Sequence, residues 1–319
     1  MRILFMGTPD FALFTLKALV ESGEDVVGVV TQTDKPKGRG YTLTPPPVKV
    51  YAMEKNIPVY QPKTLRTEEF AALLAEIDPE LIVVVAFGKI LPVNVLEYPK
   101  YGCINVHGSL LPEYRGAAPM QRAIIDGKSE TGVTTMYMAD GIDTGDMLLK
   151  ETVTIEENDN FETVHDKLGE CGAALLLRTL EELKKGTLTP IPQDDSLSTY
   201  ASKIEKEDCL LDFSQNAKAL HDRIRGLSPF PLAFTHTPDG KMLKIIASEV
   251  EKGMSHDPAV KSGRVLAAAK GKVLVACGEG TVLSLLAALP EGKKRMSASD
   301  LINGRRIKEG DLLGAPSQT

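Results

Sequence analysis

The run LIVVVAF at residues 81–87 carries no polar side chain. A strand covered on one face alternates apolar and polar residues, whereas a strand buried on both faces reads as a continuous apolar run. The segments around it fit that reading. Residues 2–6 read as a strand, and residues 9–21 as a helix with apolar Phe11, Phe14, Leu16 and Leu19. Residues 26–31, 103–107, 131–138 and 147–153 read as further strands. Residues 160–183 read as a helix carrying Phe161, Val164, Leu168, Ala174, Leu175 and Leu180. Strands separated by helices of this length predict an α/β domain with a doubly wound, mostly parallel sheet. Ligands of such sheets bind at the carboxyl ends of the strands.

The texture changes beyond residue 185. Residues 186–204, GTLTPIPQDDSLSTYASKI, are rich in Pro, Thr, Ser and Asp without periodicity, and read as a linker. After a helical stretch at 215–225, short runs at 243–248, 263–268, 272–276 and 282–286 are broken by Pro-Asp-Gly and Gly-Glu-Gly turns. That spacing predicts a small antiparallel β-barrel of the OB type. The expected organisation is a catalytic domain over 1–185, a linker over 186–204 and a smaller barrel domain over 205–319.

Composition narrows the class. Of the 319 residues 43% are hydrophobic and 25% charged, as in an ordinary globular protein. No apolar run approaches the roughly 20 residues that span a bilayer, and the start, MRILFMGTPDF, lacks the pattern of a signal peptide. Cys103, Cys171, Cys209 and Cys277 are scattered without CxxC spacing, which favours reduced thiols in a cytoplasmic protein and no metal site. The net charge of −6 is unevenly spread. From Glu205 onward 17 Lys+Arg face 14 Asp+Glu, a balance of +3, and the 20 and 29 that precede give −9. The split hints that the C-terminal part meets an anion.

The stretch GCINVHGSLLPEYRGAAP, residues 102–119, carries the chemistry. On a strand, Asn105 and His107 share one face, and two polar groups at the end of a buried strand need a reason. Asp143 lies in MADGIDTGDML, where Gly141 and Gly145 permit tight turns. Each residue has a bland explanation: a loop contact for Asn105, a buried hydrogen bond for His107, a turn cap for Asp143. Together, amide, imidazole and carboxylate can perform acyl transfer without a metal or a covalent nucleophile. N–H donors hold a developing oxyanion, and a carboxylate sets the imidazole's protonation and helps move protons. Ser109 is a rival nucleophile, but no G-x-S-x-G elbow surrounds it. GTPD at residues 7–10 has one of the three glycines that a dinucleotide fingerprint needs.

NVHGSLLPEYRGAAP, with GIDTGDML downstream, resembles the signature of the 10-formyltetrahydrofolate-dependent formyltransferases. The likeness extends through MGTPDF at 6–11, TQTDKPKGRG at 31–40, PPVKVYA at 46–52 and VVVAFGKILP at 83–92, and on into GKKRMSASDLINGRR at 292–306. It implies a Rossmann-like transferase domain with Asn105, His107 and Asp143 catalytic. It implies a folate site lined by Ser109, Leu110, Leu111 and Pro112 together with Phe87, Gly88, Ile90 and Leu91. The basic loop and the C-terminal domain narrow the likeness to the branch acting on initiator tRNA charged with methionine. The co-substrate is then 10-formyltetrahydrofolate, with no metal and no membrane, and the protein is expected to be a monomer.

Two groups of cations are candidates for the tRNA. Lys35, Lys37 and Arg39 lie in the long Gly/Pro-rich segment TQTDKPKGRGYTLTPPP, read as a structureless arm. Such loops in compact domains are usually functional, and the resemblance places this one at the acceptor end. Lys293, Lys294 and Arg295 add charge to the barrel. Two other readings compete: a formyltransferase or formyl-folate hydrolase with a small substrate, and an RNA-binding protein with a degenerate enzyme core.

Overall fold

The structure, a computed structural model, describes residues 1–37 and 42–314. In chain order it runs β1 (Arg2–Gly7), α1 (Asp10–Glu21), β2 (Asp25–Val30), β3 (Lys35–Lys37), β4 (Thr42–Thr44), α2 (Pro47–Glu54), β5 (Val59–Tyr60), α3 (Glu68–Ile77) and β6 (Leu81–Val85). Then come α4 (Val93–Leu96), β7 (Cys103–His107), β8 (Arg115–Gly116), α5 (Pro119–Ile125), β9 (Glu130–Tyr137), β10 (Met147–Thr154), α6 (Phe161–Lys185) and β11 (Tyr200–Ala201). The remainder is α7 (Ala217–Gly226), β12 (Ala233–His236), β13 (Met242–Val250), β14 (Val265–Ala269), β15 (Lys272–Ala276), β16 (Val282–Pro290), β17 (Met296–Ser297) and α8 (Ala298–Asn303).

Seven strands form one sheet in the order β10-β9-β7-β6-β1-β2-β5. The run read as a doubly buried strand is β6, all five of its residues buried, pairing in parallel with β1 on one side and β7 on the other. β9 runs antiparallel to both β7 and β10, so one edge of the otherwise parallel sheet is mixed. Side chains of Leu4, Met6, Ile82 and Val84 meet Phe70, Leu74 and Ile77 of α3 in a single apolar cluster. Helix α3 starts at Thr67, whose hydroxyl accepts from the Phe70 amide (3.3 Å), with Glu68 and Glu69 in its first turn where the helix dipole favours anions.

The packing of α6 decides which way β7 points its polar residues. Gly172 lets the helix come so close that a Cβ there would lie 2.9 Å from Cγ1 of Val106 and 3.3 Å from Cγ1 of Val133. Val106 therefore faces α6. By strand alternation Asn105 and His107 face the opposite side of the sheet.

Two segments differ from the sequence reading. The basic arm is not structureless where it is described: β3 and β4 form an antiparallel ribbon, Lys35 opposite Thr44 and Lys37 opposite Thr42. Pro36 is tolerated because a two-stranded ribbon is all edge and needs no central ladder bond there. The base of the ribbon is fixed by Lys49, whose amine bonds both Asp34 carboxylate oxygens and Gln61 Oε1, each at 2.9 Å. Hydrogen bonds from Gln61 and then from Lys49 hold the Asp34 carboxyl below its usual range. The second difference is the expected linker. Its residues up to Ala201 belong to the first compact unit, with β11 paired in parallel to β8 and Ile191 bridged to Met147. These contacts are one or two residues long, too short to impose a period on the sequence.

The chain divides into two compact units. The first comprises Met1–Pro119, Glu130–Thr154 and His165–Ala201; the second comprises Met120–Ser129, Ile155–Val164 and Ser202–Thr319. In the second, an antiparallel sheet runs β12-β13-β16-β15-β14, with β17 also on β16. Its two edges are bridged by the same short segment: Gly314 pairs with His236 beside β12, and Leu312 pairs with Arg264 beside β14. The interior is filled by Leu220 and Ile224 of α7 with Ile245, Val273, Val275, Leu283 and Leu285 of the strands, so the barrel is packed rather than hollow.

One ion pair in the first unit carries a pH signature. His165 at the start of α6 sits between Asp166 (2.9 Å) and Asp10 (3.5 Å), against the Phe11 and Phe14 rings. The hydrogen bond with Asp10 raises the imidazole pKa above its ordinary 6.5 against the opposing effect of burial, and the same contact lowers Asp10 below 3.8. A raised histidine stabilises below its unfolded pKa and loses that contribution as pH rises through the folded value. A lowered aspartate stabilises above its unfolded pKa and loses it as pH falls. The pair therefore contributes most between about pH 4 and 6.5. Thermal melting of His165→Gln should fall furthest below the parent at pH 5.5, with the gap narrowing at pH 8.5.

Candidate active site

β7 delivers Asn105 and His107 to the end of the sheet, 9% and 6% exposed. Asn105 stands between Val84 of β6 and Met136 of β9 in the register. Its carboxamide makes no hydrogen bond among the described residues. Its polar atoms are not among the fully buried ones, so the carboxamide is available to a molecule at the strand end.

His107 is held at both ring nitrogens. Nε2 lies 3.0 Å from the carbonyl oxygen of Tyr114. A carbonyl only accepts, so Nε2 carries the proton in that contact. Nδ1 faces Oδ2 of Asp143 at 3.6 Å, too long for a hydrogen bond and short enough for an ion pair once Nδ1 is protonated. The structure thus joins His107 and Asp143 across 36 residues of sequence. The Asp143 carboxylate also accepts from the Gly116 amide at 2.9 Å.

The backbone around these groups is unusual. Ala86 (φ +45°), Tyr114 (φ +58°) and Asp143 (φ +53°) all adopt the left-handed region, although none is glycine. Each such residue costs on the order of 1–3 kcal/mol and persists where its surroundings hold it. For Asp143 the restraint is Gln193, whose Nε2 donates to the carbonyls of Asp143 (2.8 Å) and Gly145 (2.7 Å). Two such bonds, at about 0.5–1.5 kcal/mol each, are of the size needed to offset that strain. The Oε1 of Gln193 accepts from Arg115 Nε at 3.0 Å, and Arg115 also reaches Asp195 at 2.7 Å. The same segment supports His107's partner, since the Tyr114 amide donates to Thr199 Oγ1 at 2.8 Å. Gln193 and Thr199 lie in the stretch read as a linker. A lone Gln and a lone Thr among prolines and serines give no signal of their own.

The SLLP loop is braced from within. Ser109 is fully buried and its hydroxyl donates to Glu113 O at 2.7 Å, which leaves it no part as a nucleophile. Thr134 Oγ1 donates to Ser109 O (2.7 Å) and accepts from the Leu111 amide (3.1 Å), and the Lys150 amine caps Leu111 O. Leu111 is itself fully buried, clustered with Met136 and Met147, and so shapes the loop from below. Leu110 and Pro112 are partly exposed. In the neighbouring stretch Phe87 and Leu91 belong to the core, whereas Gly88 is open to solvent and Ile90 is 74% exposed. The Phe87 carbonyl is fixed by Gln32 Nε2 at 2.9 Å and by the Thr8 hydroxyl at 3.2 Å. Gly7 serves packing, since a Cβ there would meet Phe5 and Ala12 at 2.6 and 2.7 Å.

Of the candidate tRNA-contacting residues, Lys35 is exposed on the ribbon and Lys37 occupies the end of β3. Arg39 lies outside the described residues. Lys293, Lys294 and Arg295 are exposed in the turn between β16 and β17.

A mostly parallel sheet thus carries an amide and an imidazole at the end of one central strand, with a carboxylate facing the imidazole from the loop between β9 and β10. The family model for the formyl transferases matches residues 1–180, and that for the formyl transferase C-terminal domain matches residues 203–306. The chain is 49% identical over 318 residues to the methionyl-tRNA formyltransferase of Bacillus subtilis, covering 99% of each. Among solved structures, an N-formyltransferase from Helicobacter canadensis in complex with folinic acid and dTDP-3-aminofucose superposes with a TM-score of 0.65 at 19% identity, covering 89% of this chain and 98% of that one. A methionyl-tRNA formyltransferase from Clostridium thermocellum gives 0.54 at 19% identity, over 79% and 95%. The chain belongs to the formyl transferase family, among its methionyl-tRNA formyltransferases.

Gly145 provides a test of the Asp143 loop. A Cβ there would lie 1.8 Å from the carbonyl oxygen of Tyr137, so the two backbones would have to part. A displacement of about 1 Å at a reacting group costs on the order of 100-fold in rate. Gly145→Ala should lower the single-turnover rate of formyl transfer by about that factor, while circular dichroism shows the folded protein.

Proposed function

We propose that this chain transfers the formyl group of 10-formyltetrahydrofolate to the α-amino group of methionine esterified to initiator tRNA, in the cytoplasm, to supply translation initiation. The observation that carries the chemistry is the juxtaposition of Asn105, with its unpartnered amide, and a His107–Asp143 pair at one strand end. The identity to tRNA-directed relatives over the whole chain supports the acceptor.

The nucleophile belongs to the substrate. An α-amine has a pKa of about 7.7–8.0, so an appreciable fraction is neutral near pH 7. The protein's task is positioning and charge stabilisation. As the amine nitrogen bonds to the formyl carbon, the carbonyl becomes an oxyanion. The Asn105 N–H and a protonated His107 Nδ1 hold it. Tyr114 keeps Nε2 engaged, so Nδ1 is the nitrogen that meets the reaction. Asp143 balances the imidazolium and accepts the proton leaving the amine, through water. Collapse of the intermediate breaks the bond to the folate nitrogen, which takes up a proton.

The folate donor sits against the SLLP loop and the 87–91 stretch. Leu110, Pro112, Gly88 and Ile90 offer it surface, while Ser109, Leu111, Phe87 and Leu91 support that surface from beneath. The tRNA meets the cations Lys35, Lys37 and Arg39 of the first unit and Lys293, Lys294 and Arg295 of the second.

Incubation with 10-formyltetrahydrofolate and charged initiator tRNA should yield formyl-methionine. Removing one oxyanion donor typically costs roughly 100- to 1,000-fold in kcat. Asn105→Ala and His107→Ala should each lose about that much, and rates within tenfold of the parent would remove these residues from the assignment. Phosphate contacts release counterions, so log affinity falls linearly with log salt, by a little under one unit of slope per contact. Replacing Lys293, Lys294 and Arg295 together by Gln should raise KM for charged tRNA and flatten that slope, leaving kcat near the parent's. An unchanged slope would mean that this turn does not touch the RNA.

A further inference from the structure

We infer that Gln193 is a positioning residue for formyl transfer: its carboxamide holds the Asp143 loop so that the carboxylate faces His107. The inference rests on the reading of His107 and Asp143 as the catalytic pair. Gln193 is partly buried, in the segment between α6 and β11.

The geometry is specific to an amide. Both N–H groups of Nε2 are used, one on the carbonyl of Asp143 and one on that of Gly145 (2.8 and 2.7 Å). These carbonyls flank the tight part of the loop, where Asp143 has φ +53°. Oε1 takes the Nε proton of Arg115 at 3.0 Å, and Arg115, 8% exposed, is tied in turn to Asp195. Arg115 is the residue between Tyr114, whose carbonyl accepts from His107, and Gly116, whose amide donates to Asp143. One side chain thus links the backbone that orients the imidazole to the backbone that orients the carboxylate. A carboxamide can do this because it donates from one end and accepts at the other. Without the donors, two carbonyls lose their partners and Asp143 is free to leave the left-handed region. The carboxylate then moves off the 3.6 Å approach to Nδ1.

Because Gln193 acts through Asp143, its loss should appear in kcat and not in KM. Gln193→Met keeps the volume and removes both donors and acceptor. Gln193→Glu keeps an acceptor for Arg115 and removes the donors to the loop. Both should lower kcat about 10- to 100-fold, with KM for formyl-folate and charged tRNA within about twofold of the parent. In an Asp143→Asn background, already slow, either substitution should add less than about twofold, since residues acting in one unit do not add.

Recovery of the parent rate in Gln193→Glu would show that Gln193 serves only to anchor Arg115, and would overturn the proposal. So would a parental kcat in Gln193→Met, or a loss of equal size in both backgrounds, including one caused by a general fall in melting temperature. If Asp143→Asn alone turned over like the parent, the catalytic pairing itself would fall, and this proposal with it.

Discussion

The close approach of α6 to the sheet at Gly172 is the constraint on which the site depends. A helix that touches Val106 and Val133 through a glycine covers that face of β7 closely. The alternation of the strand then sends Asn105 and His107 the other way together. The register places Asn105 between Val84 and Met136 and His107 opposite Thr134, whose hydroxyl is engaged by the SLLP loop, so their polar atoms face the strand end and the loops. Strand geometry brings the two residues onto one face. The loops decide what they can do.

Those loops are held by many small hydrogen bonds and by a few buried apolar anchors, Leu111, Phe87 and Leu91. Thr134 braces SLLP, Thr8 and Gln32 brace the Phe87 carbonyl, and Gln193 with Thr199 braces the turns that face His107. Such bonds contribute about 0.5–1.5 kcal/mol each, comparable with the cost of the left-handed residues they restrain. The imidazole is oriented by a backbone carbonyl and balanced by a carboxylate. Both contacts come from the protein itself, so the fold fixes the orientation of the ring.

Much of the architecture is legible in the sequence because its elements carry strong periods. The apolar run LIVVVAF marks a strand that is buried from Leu81 to Val85, and the 25-residue α6 shows helical spacing over several turns. The pairing of Asn105 with His107 follows from strand alternation alone. Asp143 is readable as a candidate from its glycine-flanked turn, and its meeting with His107 emerges only in the fold. Short elements leave too little pattern. β5 and β11 have two residues each, and the basic ribbon three on either side. Gln193 escapes notice because its role lies in backbone carbonyls of another loop, which no side-chain pattern encodes. Leu111 and Phe87 are apolar in sequence whether they face a ligand or the core, and the structure puts both in the core.

The second compact unit is discontinuous: residues 120–129 and 155–164 belong to it although they are encoded within the first. Arg122 bonds Ser202 and pairs with Asp208 (2.8 Å), and Arg225 Nη1 donates to the carbonyl of Asp159 at 2.9 Å. Ile125 packs on the barrel's apolar interior. The two units therefore cannot be separated by a single cut in the gene. A product ending near residue 202 would present Arg122, Ile125 and Asp159 to water without their partners, and the barrel expressed alone would lack pieces of its own wall. For a nascent chain, the excursions made early must wait for barrel residues that are synthesised last. Exchange of the second unit between relatives by recombination would have to carry three separate stretches of coding sequence at once.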